Sequence, residues 1–273
     1  MTRLRFGAGL LLLLAVAAAC APLASGWLGH DAFAPDLFKR HAPASTAHPL
    51  GTDELGRDLL LRLLHGAQVS LAVGLATALA AALIGTAVGV LAAWRGGALD
   101  AALMRLADGM LALPALPVLV VLAAADTGRI GLPRGEPLSD ILRIVGLLTL
   151  FGWVGVARLA RAAALSVLAR DYVRAARALG ASEWRVLVRH VVPNIAGPVA
   201  VATALAVAGA ILAESTLSFL GLGIAPPAAS WGNMLSNAQD LVFSAPWAAV
   251  WPGVMILAAV AGCTLIADGL RRR

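Results

Sequence analysis

Charge is what this sequence has least of. Only 13% of its 273 residues are Asp, Glu, Lys or Arg, against about 25% in a soluble domain, and the mean hydropathy is +0.86. So few ions cannot coat a water-soluble surface of this size; the composition belongs to a polytopic membrane protein. Lysine is nearly missing, Lys39 in "DLFKRH" being the one example. A P-loop sets a lysine on nucleotide phosphates within G-x-x-x-x-G-K-[ST], so this chain has no such site. Any ATP-driven work must come from another polypeptide. The two cysteines, Cys20 and Cys263, are too few for a disulfide framework or a zinc site. Both lie in apolar runs and read as small buried hydrophobes. No catalytic constellation is visible, and neither enzyme activity, a metal nor a cofactor is expected in this chain.

What is present is apolar sequence in long runs. A membrane-crossing helix needs about 20 mostly apolar residues. Six runs qualify, roughly 6–27, 69–94, 109–126, 144–165, 195–213 and 248–267, predicting an all-α polytopic protein with about six transmembrane helices. Pro114 and Pro117 should kink the third. The fourth meets Arg158 and Arg161, so its membrane part should stop near Val156. Small residues in "LATALAAALIGTAVGVLAA" favour close contact between helices.

Orientation follows from the cations. With both termini cytoplasmic, the inner segments hold Arg3, Arg5, Arg95, Arg105, Arg158, Arg161, Arg170, Arg174, Arg177, Arg185, Arg189 and Arg271 to Arg273, and the outer ones Lys39, Arg40, Arg57, Arg62, Arg129, Arg134 and Arg143. That is fourteen of the 21 cations inside. A competing reading exists for the N-terminus: "MTRLRFGAGLLLLLAVAAAC" has the basic start, apolar run and small residues of a secretory or lipoprotein signal. The absence of leucine from "VAAAC" and the five later spans favour an uncleaved helix.

Between spans four and five lies the one long basic stretch, "ARDYVRAARALGASEWRVLVRHVVPN". Asp171 can cap a helix that places Arg170, Arg174 and Arg177 on one stripe and Tyr172, Ala175, Ala176 and Leu179 on the other side. Gly180 suits a left-handed helix end. Ser182 caps a second helix, with Trp184, Leu187, Val188 and Val191 as an apolar stripe opposite Arg185 and Arg189. Pro193 should break that helix before span five. At about 3 kcal/mol for an arginine at the bilayer centre, the segment stays out of the membrane. It reads either as a helix on anionic lipid or, given the small side chains of "AARALGAS", as a docking helix for another protein. Nucleic acid is disfavoured because aromatic platforms are missing.

The spacing of this stretch resembles the cytoplasmic motif of permease subunits from binding-protein-dependent ABC importers: Glu-Ala-Ala, three residues, Gly, nine residues, Ile-x-Leu-Pro. Here "RAARALG" supplies Ala175, Ala176 and Gly180, and "HVVP" supplies His190, Val192 and Pro193. "HPLGTDELGRDLLLRLLHGAQVSL" and "AESTLSFLGLGIAPPAASWGNML" resemble segments of the dipeptide, oligopeptide and nickel permeases, in particular their C-type partner. The resemblance implies a coupling helix between spans four and five that docks on the ATPase, formed by Arg174, Ala175, Ala176, Leu179, Gly180, Ala181, Ser182 and Pro193. Arg174 stands where the motif has glutamate, a reversal of charge.

The same resemblance implies a second, homologous B-type permease, two ABC ATPase subunits that bind ATP and Mg, and a periplasmic or lipid-anchored substrate-binding protein. The location implied is the bacterial inner membrane, and the cargo peptides, or nickel or another small solute. On this basis residues 1–68 form a first helix with a periplasmic segment, and 69–273 a five-helix importer domain. Thr52 can cap a surface helix through "DELGRDLLLRLL". The Glu214–Trp247 stretch is too rich in Gly and Pro for a seventh span, and such outer elements resemble the surface that meets a loaded binding protein and closes the outer gate. The alternative from another energetic class is an ion-coupled secondary transporter. Such carriers place carboxylates or broken helices at the midplane, whereas Glu214, the nearest candidate, should open the external segment.

Overall fold

The computed structural model describes residues 2–125, 133–238 and 245–272. Two of the cations counted above, Arg129 and Arg273, and residue 126 of the third run fall outside them. Ten helices organise the described residues: α1 (Thr2–Ala19), α2 (Ala21–Leu28), α3 (Leu59–Arg95), α4 (Gly97–Ala112), α5 (Ala115–Ala124), α6 (Pro137–Leu168), α7 (Asp171–Ala178), α8 (Glu183–Val186), α9 (Val192–Phe219) and α10 (Pro246–Arg271). Five stretches are each long and apolar enough to cross a membrane alone: α1, α3, α6, α8 with α9, and α10.

The sixth crossing follows from parity. The start of α1 lies beside the end of α10: Arg3 Nη1 pairs with Asp268 Oδ2 at 3.0 Å, and Leu4 closes on Gly269. Both described ends of the chain therefore share one end of the bundle, which an odd number of crossings does not allow. The passage must fall between α3 and α6. It is made by α4 and α5, which bend by 83° across a short break where Pro114 supplies the extended backbone before α5. Arg161 and Asp100, 2.5 Å apart, hold α4 to α6 near one end, and Leu119 and Ala123 of α5 pack with Ile144 and Leu148 of α6 toward the other.

The second, fourth, fifth and sixth runs were correctly placed but too short, while the first, 6–27, crosses the break between α1 and α2, and the third, 109–126, the break between α4 and α5. The second begins at Leu59 rather than 69, because Asp58 caps it by accepting from the Leu61 amide at 2.9 Å. Arg62, in its first turn, is buried against Asp53 at 3.3 Å. Thr52 does not cap this helix: its hydroxyl accepts from the Ala42 amide at 2.8 Å, and it bridges to Asp58. The fourth begins at Pro137 and carries Arg158 and Arg161 inside a helix that continues to Leu168. Cys263 is buried as expected, but Cys20 stands exposed at the break between α1 and α2.

Close approach of α3 to α6 depends on missing side chains. A Cβ on Gly85 would lie 2.5 Å from the Trp153 carbonyl oxygen, and one on Gly89 would also strike α6 backbone. Small residues thus bring these helices together. The outer contour of the bundle is apolar, with Leu75, Leu79, Leu83, Leu150, Leu212, Val250 and Leu257 exposed.

Candidate functional site

Helices α7 and α8 form a helix–turn–helix at the bundle end that carries Arg95 and Leu168. Two valines pin it. Val173 of α7 and Val186 of α8 are fully buried with Leu187, Val191 and Ile195 against Ala93, Ala160 and Ala164. The reversal between the helices is a Schellman motif: Gly180 takes φ +85°, its amide donates to the Arg177 carbonyl at 2.9 Å, and the Ala181 amide donates to the Ala176 carbonyl at 3.0 Å. Ser182 caps α8 by accepting from the Arg185 amide. Arg177 then clamps the corner, donating twice to Glu183 at 2.9 Å, and Trp94 Nε1 of α3 donates to the same carboxylate at 3.3 Å.

Seven of the eight residues expected in the coupling element, Arg174 to Ser182, lie on this corner, whereas Pro193 sits beyond α8 in the first turn of α9. Arg174, Ala175, Leu179, Gly180, Ser182 and Pro193 are exposed, and Ala176 and Ala181 are half-buried. Arg174 pairs with Asp171 one turn back. Leu179, at the tip, is 90% exposed, and a Cβ on Gly180 would meet nothing within 4 Å. Three local expectations fail. Asp171 is the first helical residue rather than the cap, which is Arg170. Pro193 breaks nothing: α8 runs through a π-helical turn, Leu187–Val191, into α9, where proline is tolerated in the first turn. The wide turn rotates the buried face onto Val186, Leu187 and Val191 and leaves Trp184 and Val188 exposed.

At the opposite end, sequence reasoning missed a buried polar cluster. Glu214 does not open an external loop; it is fully buried inside α9. Its Oε1 accepts from Ser218 Oγ at 2.7 Å, and its Oε2 from Ser70 Oγ of α3 at 3.0 Å. Asp140 and Arg143, in the first two turns of α6, are buried and 3.2 Å apart. Around them folds the segment 222–233, which has Trp231 fully buried at its centre. The spacing of Glu214 and Ser218, four residues apart on one helix face, was the one local signal. Ser70 lies 144 residues away, beyond any window of sequence.

Among the described residues no group of three or more His, Cys, Asp or Glu is arranged to hold a metal ion. An apolar cavity of about 290 Å³ lies between α3, α5, α6 and α9, lined by Thr77, Leu119, Phe151 and Gly209 among others.

Long apolar helices, a bent crossing and irregular segments packed into the bundle ends define an all-α polytopic membrane protein. Within that class the chain belongs to the family described as binding-protein-dependent transport system inner membrane component, whose profile matches residues 85–273. It is 40% identical over 268 residues to a putative peptide transport system permease protein of Brucella suis, covering 98% of this chain and 85% of that one. It is 39% identical over 248 residues to a probable D,D-dipeptide transport system permease protein of Escherichia coli, covering 90% and 80%. An oligopeptide transport system permease protein of Bacillus subtilis is 36% identical over 242 residues, covering 89% and 76%.

Proposed function

We infer that this chain is the C-type permease subunit of an ABC importer for peptides. It contributes half of the translocation pathway beside a B-type homologue, and two ATPase subunits that bind ATP and Mg drive it through α7 and α8. The observation that carries this reading is the α7–α8 corner: it is pinned to the bundle by Val173 and Val186, while Ala175, Leu179 and Gly180 present an open, small-featured surface. A helix held rigidly on one side and empty on the other suits insertion into a groove of a partner. The excess of cations at this end supports a cytoplasmic location for it, with both termini on the same side of the inner membrane. Residues 29–58 and 220–238, at the far end, would then face a periplasmic or lipid-anchored binding protein. Peptide cargo is supported by the names of the three relatives. The division into a first helix with its outer segment, 1–68, and an importer domain, 69–273, belongs to the same reading, although α3 itself spans residue 69.

The test is Leu179→Asp. The side chain is 90% exposed, so folding should change by less than about 0.5 kcal/mol. Copurification of ATPase subunits and ATP-dependent peptide uptake should both fall at least about tenfold, the equivalent of about 1.4 kcal/mol. Normal uptake with the aspartate in place would refute the docking role. Uptake that survives ATP depletion but collapses with an ionophore would support the ion-coupled carrier instead.

A further inference from the structure

Segment 222–233 lacks regular structure over most of its length, yet its backbone groups are bonded to three different helices. From α6, Asp140 Oδ2 accepts from the Ala225 amide at 3.0 Å, and Arg143 Nη2 donates to the Gly223 carbonyl at 2.9 Å and the Leu222 carbonyl at 3.3 Å. From α9, Ser218 Oγ accepts from the Ile224 amide at 3.1 Å. From α3, Ser70 Oγ accepts from the Trp231 amide and the Leu63 carbonyl accepts from Trp231 Nε1, both at 3.1 Å. Asn233 closes the segment on itself, donating to the Ile224 and Ala228 carbonyls at 3.1 and 2.8 Å and accepting from the Ser230 amide at 3.0 Å.

Glu214 stands at the crossing of two of these anchors. Ser70 and Ser218 each use the oxygen to receive a backbone amide of the segment and the O–H to donate to one oxygen of the Glu214 carboxyl group. The carboxyl group therefore orients two hydroxyls that come from different helices and hold points seven residues apart in the segment. Packing leaves no slack. A Cβ on Gly232 would lie 2.5 Å from Ser215 Cα, and one on Gly66 would lie 3.3 Å from Ser230 and Trp231.

We propose that segment 222–233 is a fixed strut, not a moving gate: it joins α3, α6 and α9 into one rigid body, and Glu214 is the positioning residue at its centre. Buried polar groups that are bonded, as at Glu214, Ser70, Ser218 and Asn233, resist opening, because each freed donor or acceptor would be stranded away from water; on the α6 side, Asp140 Oδ1 and Arg143 Nε and Nη1 have no hydrogen-bond partner among the described residues. The transport consequence rests on the importer reading above. Access at this end would then change by movement of the three helix ends together, not by the segment swinging away from them.

Hydrogen exchange on the purified full chain tests the strut without reference to partners. The amides of Ile224, Ala225 and Trp231 should exchange at least about 100-fold more slowly than those of exposed Ser236 and Asn237, as expected where opening requires the surrounding core to open. Fast exchange at the three amides in the unsubstituted protein would overturn the proposal. Glu214→Ala should release both the 222–226 and 229–233 stretches together, and Glu214→Gln, which keeps one acceptor oxygen but turns an amide donor toward the other serine, should give protection between that of Glu214→Ala and the unsubstituted protein. Independent release of one stretch would deny Glu214 its central place. In the complex isolated from membranes, spin labels at Gln68 of α3 and Asn237, both exposed, should keep their separation between nucleotide-free and ATP-trapped states. A change of more than half of the about 5 Å one-turn slide seen in switching proteins would show a moving segment and overturn the strut, and a smaller change supports it. Failure to recover ATPases would count against the importer reading and leave the exchange result standing.

Discussion

Helices α7 and α9 end by the same device and lead into opposite environments. At both, a glycine takes a left-handed φ, +85° at Gly180 and +73° at Gly221. At both, the residue after the glycine donates back to a carbonyl five positions earlier, Ala181 to Ala176 and Leu222 to Leu217. After Gly180 the chain stays at the surface, fixed by two valines, with Leu179 and Trp184 exposed. After Gly221 it turns into the bundle, and its backbone is claimed by side chains from three helices. Local backbone chemistry is thus the same where the surroundings differ. What separates a surface open to a partner from a closed structural joint is the side chains that meet the chain after the turn.

Substitutions should respond accordingly. The largest effect is expected from Trp231→Ala, which empties a fully buried site in the segment and removes the indole donor to the Leu63 carbonyl. It should cost about 3–5 kcal/mol, read as a fall in the thermal unfolding midpoint of the purified chain. Gly180→Val comes next. A Cβ there meets nothing, so the penalty is backbone strain alone, about 1–2 kcal/mol for a left-handed residue. It should appear as loss of coupled uptake with most of the unfolding midpoint retained. If instead Gly180→Val unfolded the chain as Trp231→Ala does, the two corners would not differ as described. The smallest change in stability belongs to Arg174→Glu. It places like charge beside Asp171 and should cost about 0.2–0.5 kcal/mol, while restoring the acid found in the motif. A gain in ATPase copurification would show that the cation weakens docking, and no change would show that the small neighbours Ala175 and Ala176 suffice.

Much of this was legible in the sequence, for identifiable reasons. Apolar runs located the crossings because burial in lipid demands length and little else, and Pro114 marked the bend. Gly180 and Ser182 were legible because caps are local. The helix boundaries were not, because the polar partners that shield charge come from distant or irregular sequence: Asp53 supports Arg62 and His48 contacts Asp58 at 2.9 Å. The stripe through Trp184 and Val188 failed because a 3.6-residue period was carried across a π-helical turn. The place of Glu214 is not legible, because a lone carboxylate after an apolar run reads as the end of a span. Its partner Ser70, on α3, makes the interior tolerable.

The unbroken passage from α8 into α9 has a mechanical meaning. With no break at Pro193, helix α8, which forms one side of the α7–α8 corner, and the carboxyl group of Glu214 are carried on one rod. The 22 residue steps from Val192 to Glu214 span about 33 Å at 1.5 Å per step. If the corner docks and the strut holds as proposed, a lever of that length would deliver a tilt of α8 to the far end of the bundle as a rotation of the whole cap. The π-helical turn, with its wider and poorer bonds, is the place where such a lever would yield first.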